Sequence, residues 1–374
     1  MKFQTKAIHS TPLGDPTTKG VKPAIHMSTT FEREADGSYP AGYIYSRLGN
    51  PNREMLETSL AELEGGDAAR AFSSGSAATF TLLNTLKPGD HVIAPIDVYH
   101  GTASIFKEIM APWGLLCSFV DMTNIGEVQN SIRPNTKLFW TESPSNPLLK
   151  ITDIRKVSEL AHSNNALCVS DNTWMTPALQ QPFSLGADAI IHSTTKYLSG
   201  HSDVLGGAII VKEHNNLLGR ISNLQSTIGS VPSPFDCWLV LRGIQTLFIR
   251  MQTHTANAEK IATYLSSHPQ IEAVHYPGLE THDGYQIATE QMDSFGGMLS
   301  IQIRGGKNKA MSVAAKTTLF TAATSLGGTS SYIEHRASIE GPETHTPDNL
   351  LRLSVGLEHP DDLIEDLSQA LDQP

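Results

Sequence analysis

Apolar residues recur along the chain in two rhythms. In NREMLETSLAELEGG, Leu56, Leu60 and Leu63 fall at helical spacing, Pro51 opens the run and Gly65 with Gly66 closes it, which predicts a helix. Beyond it, short apolar runs alternate with amphipathic ones. AARAFSS reads as a strand, AATFTLLNTL as a helix, and HVIAP as a strand introduced by the turn KPGD. CSFVDM and KLFWTE read as buried strands, DIRKVSELAHSNN as an amphipathic helix, and ALCVSD, DAIIHS and GGAIIV as further strands. Strands separated by helices of this length require crossovers. The region to about Val231 is therefore predicted to be an α/β unit, a mostly parallel sheet with helices on both faces.

The first fifty residues show little sustained periodicity and are dense in Gly, Pro, Ser and Thr, as in STPLGDPTTKGVKP, so residues 1–50 read as an arm rather than a core. After VPSPFD the texture changes again. A long helical stretch runs from about Cys237 to Ser266, then a smaller α/β region has strands near MLSIQI and LLRLSV and a last helix at DDLIEDLSQALDQ. A boundary between Pro232 and Pro234 divides the chain into a large domain over 51–232 and a small one over 233–374.

Composition narrows the function. With 374 residues the chain is long enough for about two to three domains at ~150 residues each, and 39% hydrophobic against 17% charged residues excludes disorder. The balance of 27 Lys+Arg against 38 Asp+Glu gives −11 with no basic run to track phosphates, so nucleic acid is not an expected partner. The start MKFQTKAIHSTPLGD has no apolar core behind its lysines and no long apolar run occurs later, so neither an export signal nor a membrane span is expected. Three cysteines far apart, Cys117, Cys168 and Cys237, fit neither a disulfide framework nor a CxxC site and point to a reducing cytoplasm.

In open α/β sheets, ligands sit beyond the carboxyl ends of the strands, so polar residues that end strands carry the chemistry. Asp171 closes ALCVSD, where an acid is expensive unless paired; taken alone it reads equally well as a helix N-cap before NTW. Lys196 lies beyond the next strand, in DAIIHSTTKYLSGHSD, and alone would read as a surface lysine. Together, an acid and a lysine on consecutive strand ends, with hydroxyls at Ser193 and Thr195, suit a pyridoxal 5'-phosphate site: lysine as Schiff base, acid on the ring nitrogen. SSGSAATF offers a phosphate cradle, since Ser74, Gly75 and Ser76 open a helix whose first N–H groups are free, although an ordinary Ser-capped helix has the same text. No GxGxxG follows a strand and no Walker sequence is present, which removes the main support for dinucleotide and P-loop readings. His192 and His201 are not at metal-binding helical spacing, and no metal site is expected.

The set YSRLGNPN, SSGSAA, DVYHGT, ESPSNP, SDNTW, HSTTKYLSGHSDVLGG, TSLGG and LLRLSVGLE, in this order from about Tyr43 to Glu358, resembles the Cys/Met-metabolism family of pyridoxal-phosphate enzymes, which includes cystathionine γ-synthase, cystathionine γ-lyase and methionine γ-lyase. The resemblance implies fold type I, the aspartate-aminotransferase-like fold. It implies Lys196 as the lysine that carries the cofactor and Asp171 as the acid that keeps the ring nitrogen protonated. Ser193, Thr195, Ser74, Gly75 and Ser76 match phosphate ligands from the same subunit. Tyr45 and Arg47 match phosphate contacts from a neighbouring subunit, which implies a dimer with shared sites and a tetramer of two dimers. Tyr99 matches the ring-stacking tyrosine that exchanges protons with the leaving group, and Asn146 the amide that reaches cofactor and substrate. Arg352 matches the fork that clamps the substrate α-carboxylate, with Ser325 its helper.

The reaction implied is elimination or replacement at Cγ of a γ-substituted amino acid. Thiol addition is synthase chemistry, and collapse to 2-oxobutyrate and ammonia is lyase chemistry. Methionine or canavanine-type substrates, and β-elimination from cystathionine, are alternatives with the same cofactor set; a non-enzymatic descendant is opposed by the joint presence of Lys196, Asp171, Tyr99 and Arg352. Three departures from the common pattern bear on substrate: His100 for glycine, Ser76 for methionine, and Ser330 where many cystathionine-handling members have glutamate. The last predicts weak recognition of a distal amino group.

Overall fold

The computed structural model describes residues 1–10, 14–15, 17–341 and 344–372. The residues left out fall in the arm, within 341–344 of the C-terminal region and at the end of the chain, so part of STPLGDPTTKGVKP and the final Gln of the last predicted helix lie outside the described residues.

The described residues form twelve strands: β1 (Ala68–Phe72), β2 (His91–Pro95), β3 (Leu116–Val120), β4 (Thr136–Glu142), β5 (Leu167–Asp171), β6 (Ala189–His192), β7 (Gly207–Val211), β8 (Ile271–His275), β9 (Met298–Ile303), β10 (Thr321–Ala322), β11 (Tyr332–His335) and β12 (Leu350–Ser354). The first seven make one sheet in the order β1-β7-β6-β5-β4-β2-β3. Its β3, β2, β4, β5 and β6 run parallel, and β7 is antiparallel to both β6 and β1. The alternation of short apolar runs and helices is the physical cause: β2, β6 and β7 are buried at every position because helices cover both faces. The other five strands form a second sheet, β10-β11-β12-β9-β8, mainly antiparallel, with its own core around Leu299, Ile301, Leu351 and Leu353.

The helix Pro51–Glu64 begins and ends where its text indicates. The Asn50 side chain accepts from the N–H groups of Asn52 and Arg53, proline sits in the first turn, and Gly65 closes it at φ 76°. The stretch read as one helix from 237 to 266 is two, Pro234–Ile244 and Leu247–Ser266. At the break, Arg250 donates to the Gly243 carbonyl at 2.8 Å, an acceptor that a continuous helix would have used, and to the Tyr197 carbonyl at 2.7 Å, which ties the break to the turn after β6. The arm also differs from expectation: Phe3–His9 is a helix with Ala7 buried and Ser10 hydrogen-bonded to Ser59 at 2.6 Å. Seven residues are too few for a periodic signal. Among the described residues no helix is long and apolar enough to cross a membrane.

Candidate active site

The carboxyl ends of β4, β5 and β6 converge on one cavity of about 470 Å³. Its walls bring together Ser74, Gly75, Ser76, Tyr99, Asn146, Asp171, Ser193, Thr195, Lys196, Ser325 and Arg352, residues spread over 279 positions of sequence from 74 to 352. Parallel strands place their ends side by side, and the five-stranded sheet closes the opening with Ser325 and Arg352. A second hollow of about 520 Å³ beside Asp97 and Asp121 lacks such convergence, and its Lys150 is already paired with Asp121 at 2.6 Å.

Lys196 stands in the turn after β6. Its amine donates to Ser325 Oγ at 2.7 Å, and burial, helped by the positive charge of Arg352, lowers its pKa to about 8. Asp171 ends β5, and its Oδ1 accepts from the Thr173 N–H at 3.0 Å. This is the local turn contact expected of an ordinary strand-end aspartate, yet the carboxylate also faces the cavity. Burial raises its pKa against the help of Thr173 and His192. Glu142, its Cα partner on β4, also lines the cavity; burial first and the Asp171 charge second hold its carboxyl well above the usual range. Glu142 Oε2 accepts from the Tyr99 N–H at 3.0 Å and so sets the start of the loop that presents Tyr99.

The cradle is built by the helix Gly75–Leu83. Ser74 caps it by accepting from the Ala77 N–H, and among the described residues the N–H groups of Gly75 and Ser76 have no acceptor. Gly75 is dictated by close approach: a Cβ there would stand 2.9 Å from Ser193 Cβ. Thr195 Oγ1 is engaged by Gly206, accepting from its N–H at 3.0 Å and donating to its carbonyl at 3.2 Å.

Arg352 projects from β12. Its Nη1 donates to Asn146 Oδ1 at 3.1 Å, and burial, then repulsion from Arg336, lowers its pKa to about 10. Tyr45 and Arg47 lie outside the cavity. Arg47 donates to the Ser226 carbonyl at 2.6 Å and its guanidinium stands 5.6 Å from the Tyr45 ring centroid. His100 and Ser76 line the cavity, whereas Ser330 is exposed and does not.

Sequence reading missed three participants, Glu142, Glu334 and Arg336. Glu142 carried the same signal as Asp171, an acid closing an apolar strand in KLFWTE. Glu334 lies on a four-residue strand, β11, too short to announce itself, and Arg336 follows it directly. Arg336 lines the cavity and pairs with Glu334 at 3.1 Å and Glu340 at 2.8 Å.

A pyridine aldehyde with a phosphate arm matches this donor set. Lys196 supplies an amine close to neutrality, Asp171 an acid for a ring nitrogen, and the first turn of Gly75–Leu83 offers unpaired N–H groups to a phosphate.

The Cys/Met metabolism PLP-dependent enzyme family model matches residues 4–372. The chain is 46% identical over 373 residues to a cystathionine gamma-synthase of Mycobacterium tuberculosis, covering 98% of this chain and 96% of that one. It is 42% identical over 380 residues to a cystathionine gamma-lyase of Dictyostelium discoideum, covering 100% and 98%. The crystal structure of metB from Corynebacterium glutamicum superposes with a TM-score of 0.97 at 42% identity, over 100% of this chain and 98% of that one. Lysine, strand-end acid and the unpaired N–H groups of the Gly75–Leu83 helix thus stand in a chain whose residues 4–372 match the family model, and the protein belongs to the Cys/Met metabolism family of enzymes that work with pyridoxal 5'-phosphate.

Proposed function

We propose that the chain catalyses elimination or replacement at Cγ of a γ-substituted amino acid in sulfur amino-acid metabolism. The observation that carries this reading is the convergence of Lys196, Asp171, the Gly75–Leu83 N-terminus and Arg352 on one cavity. When bound, the cofactor supplies an electron sink for charge developing on the substrate carbons. Lys196 Nζ would hold the cofactor and, once released, would take the proton from Cα. Asp171 pairs with the ring nitrogen. Ser74, Gly75, Ser76, Ser193 and Thr195 hold the phosphate. Tyr99, which lines the cavity, would offer its aromatic face to the cofactor and its phenol proton to the atom leaving Cγ. Arg352 and Asn146 seat the α-carboxylate, with Ser325 positioning both Arg352 and the Lys196 amine.

The chain is read as an arm over 1–50, a cofactor domain over 51–232 and a small domain over 233–374, working in the cytoplasm. Val21, Met27, Leu48 and Leu205 are exposed apolar residues, which supports a covered arm and a homo-oligomer, two site-sharing dimers forming a tetramer. In that assembly Tyr45 and Arg47 complete a neighbour's phosphate site. Mixing and refolding inactive Lys196→Ala and Arg47→Ala chains is expected to restore about a quarter of wild-type activity, because each hybrid dimer then has one intact site. Failure to recover activity counts against sharing.

Replacement by a thiol and collapse to 2-oxobutyrate use the same residues. A second reading, poor use of substrates with a distal ammonium, is supported by Ser330, a neutral hydroxyl where many cystathionine-handling members carry a glutamate. The test is a product assay on an O-acylhomoserine, cystathionine, methionine and canavanine, with and without cysteine. 2-Oxobutyrate or a cysteine adduct is expected, with cystathionine slow. Pyruvate as the main keto acid from cystathionine would replace this reading with β-elimination.

A further inference from the structure

The clamp residue Arg352 is not idle in this structure. Nη1 donates to Asn146 Oδ1, while Nη2 donates to the Ser325 carbonyl at 3.1 Å and to Glu334 Oε2 at 2.5 Å. Both hydrogens of Nη2 are therefore in use. A guanidinium has two edges that seat a carboxylate fork to fork, Nε with Nη2 and Nη1 with Nη2, and each includes Nη2. An incoming carboxylate takes a bidentate seat only by displacing the Ser325 carbonyl or the Glu334 side chain.

Glu334 is the movable one. It is a side chain with an alternative partner, since the same Oε2 also accepts from Arg336 Nη1 at 3.1 Å, and its Oε1 is buried without any partner. Arg336 is anchored from behind: Nε and Nη2 donate to Glu340 Oε1 at 3.1 and 2.8 Å, and Glu340 Oε2 accepts from Thr344 and Thr346 at 2.6 Å each. Arg352, Glu334, Arg336 and Glu340 thus form a buried row of alternating charge that sums to zero. Its first cation faces the substrate seat and its far end is fixed.

We propose that Arg336 is a positioning residue of the carboxylate clamp: Glu334 occupies Arg352 until an amino acid arrives, and Arg336 retains Glu334 when the incoming carboxylate displaces it. The inference rests on Arg352 being the α-carboxylate clamp. Without Arg336, releasing Arg352 would leave the Glu334 carboxylate buried and unpaired, so Glu334 would compete with every substrate.

The test uses holoenzyme and two probes that cannot undergo elimination: n-butyrate, which offers only a carboxylate, followed by calorimetry, and L-norleucine, followed by the cofactor absorption band. Arg336→Met is expected to weaken both by a common factor on the order of tenfold or more. Arg336→Lys should recover part of the loss. Glu334→Gln should bind at least as tightly as wild type, and in that background Arg336→Met should change affinity by less than about threefold, the mark of coupling between the two residues. Thermal unfolding and retained cofactor absorbance check that each variant folds. Equal losses from Arg336→Met in both backgrounds, or no loss at all, would overturn the proposal. Arg352→Met separates the two levels: n-butyrate binding that survives it refutes the clamp itself, whereas binding that is lost there but indifferent to Arg336 refutes only the role of Arg336.

Discussion

The amine of Lys196 donates to the hydroxyl of Ser325 at 2.7 Å, joining the turn after β6 to the loop between β10 and β11. One hydrogen bond therefore links the two sheets at the reactive nitrogen. Burial and the nearby Arg352 hold that nitrogen at about 8, below the ordinary lysine value of 10.5. The amine is cationic below pH 8 and neutral above it, and only the neutral form condenses with an aldehyde. Cofactor uptake by apoenzyme, followed by stopped-flow absorbance, is expected to accelerate through about pH 8 and then level off. An inflection nearer 10 would show that the cavity does not lower the lysine.

Glu142 and Asp171 are Cα partners on adjacent strands, and their carboxyls press on each other. Burial first and the Asp171 charge second raise the Glu142 pKa and favour its protonated form, which glutamine mimics. Glu142→Gln should retain kcat/KM within about threefold, while Glu142→Ala frees the Tyr99 N–H and should lose about 1–2 kcal/mol of transition-state stabilisation. As pH rises, ionisation of Glu142 places a second negative charge beside Asp171. Any alkaline limb due to that step should vanish in Glu142→Gln, as a kcat/KM profile would reveal.

Gly75 abuts Ser193 so closely that Gly75→Ala forces the cradle open. A Cβ at 2.9 Å from Ser193 Cβ and 3.2 Å from its Cα requires a shift of β6's end or of the helix. The expected cost is about 1–3 kcal/mol in stability, with cofactor affinity reduced roughly tenfold, which is about 1.4 kcal/mol. Cofactor titration and thermal unfolding measure the two separately.

Beneath the site, His192 Nε2 and Glu64 Oε1 are 2.5 Å apart with both side chains fully buried, and Asn172 donates to the same oxygen at 2.9 Å. His192 immediately precedes Ser193, so this contact fixes the base of the cradle. Glu64→Ala is expected to destabilise the fold by about 1–3 kcal/mol by leaving His192 and Asn172 without their buried partner. Denaturant unfolding of holoenzyme reads this out, and a change below about 1 kcal/mol would mean that the contact contributes little.

The sequence by itself determined the α/β class and the helix Pro51–Glu64. It also placed Asp171 at a strand end, Lys196 in the turn after the next strand and Ser74–Ser76 at a helix start, because apolar periodicity and caps are local and each is written in a few consecutive residues. Which distant residues share one cavity was decided only in three dimensions. Arg352 reaches Asn146 across 206 positions and Ser325 meets Lys196 across 129. The break at Gln245 and Thr246 escaped the periodic pattern because one Arg250 side chain both caps the Gly243 carbonyl and reaches the distant Tyr197 carbonyl. Glu334 and Arg336 escaped for a related reason: an acid and a base two residues apart look like solvated charge until packing removes the water around them and leaves each as the other's partner.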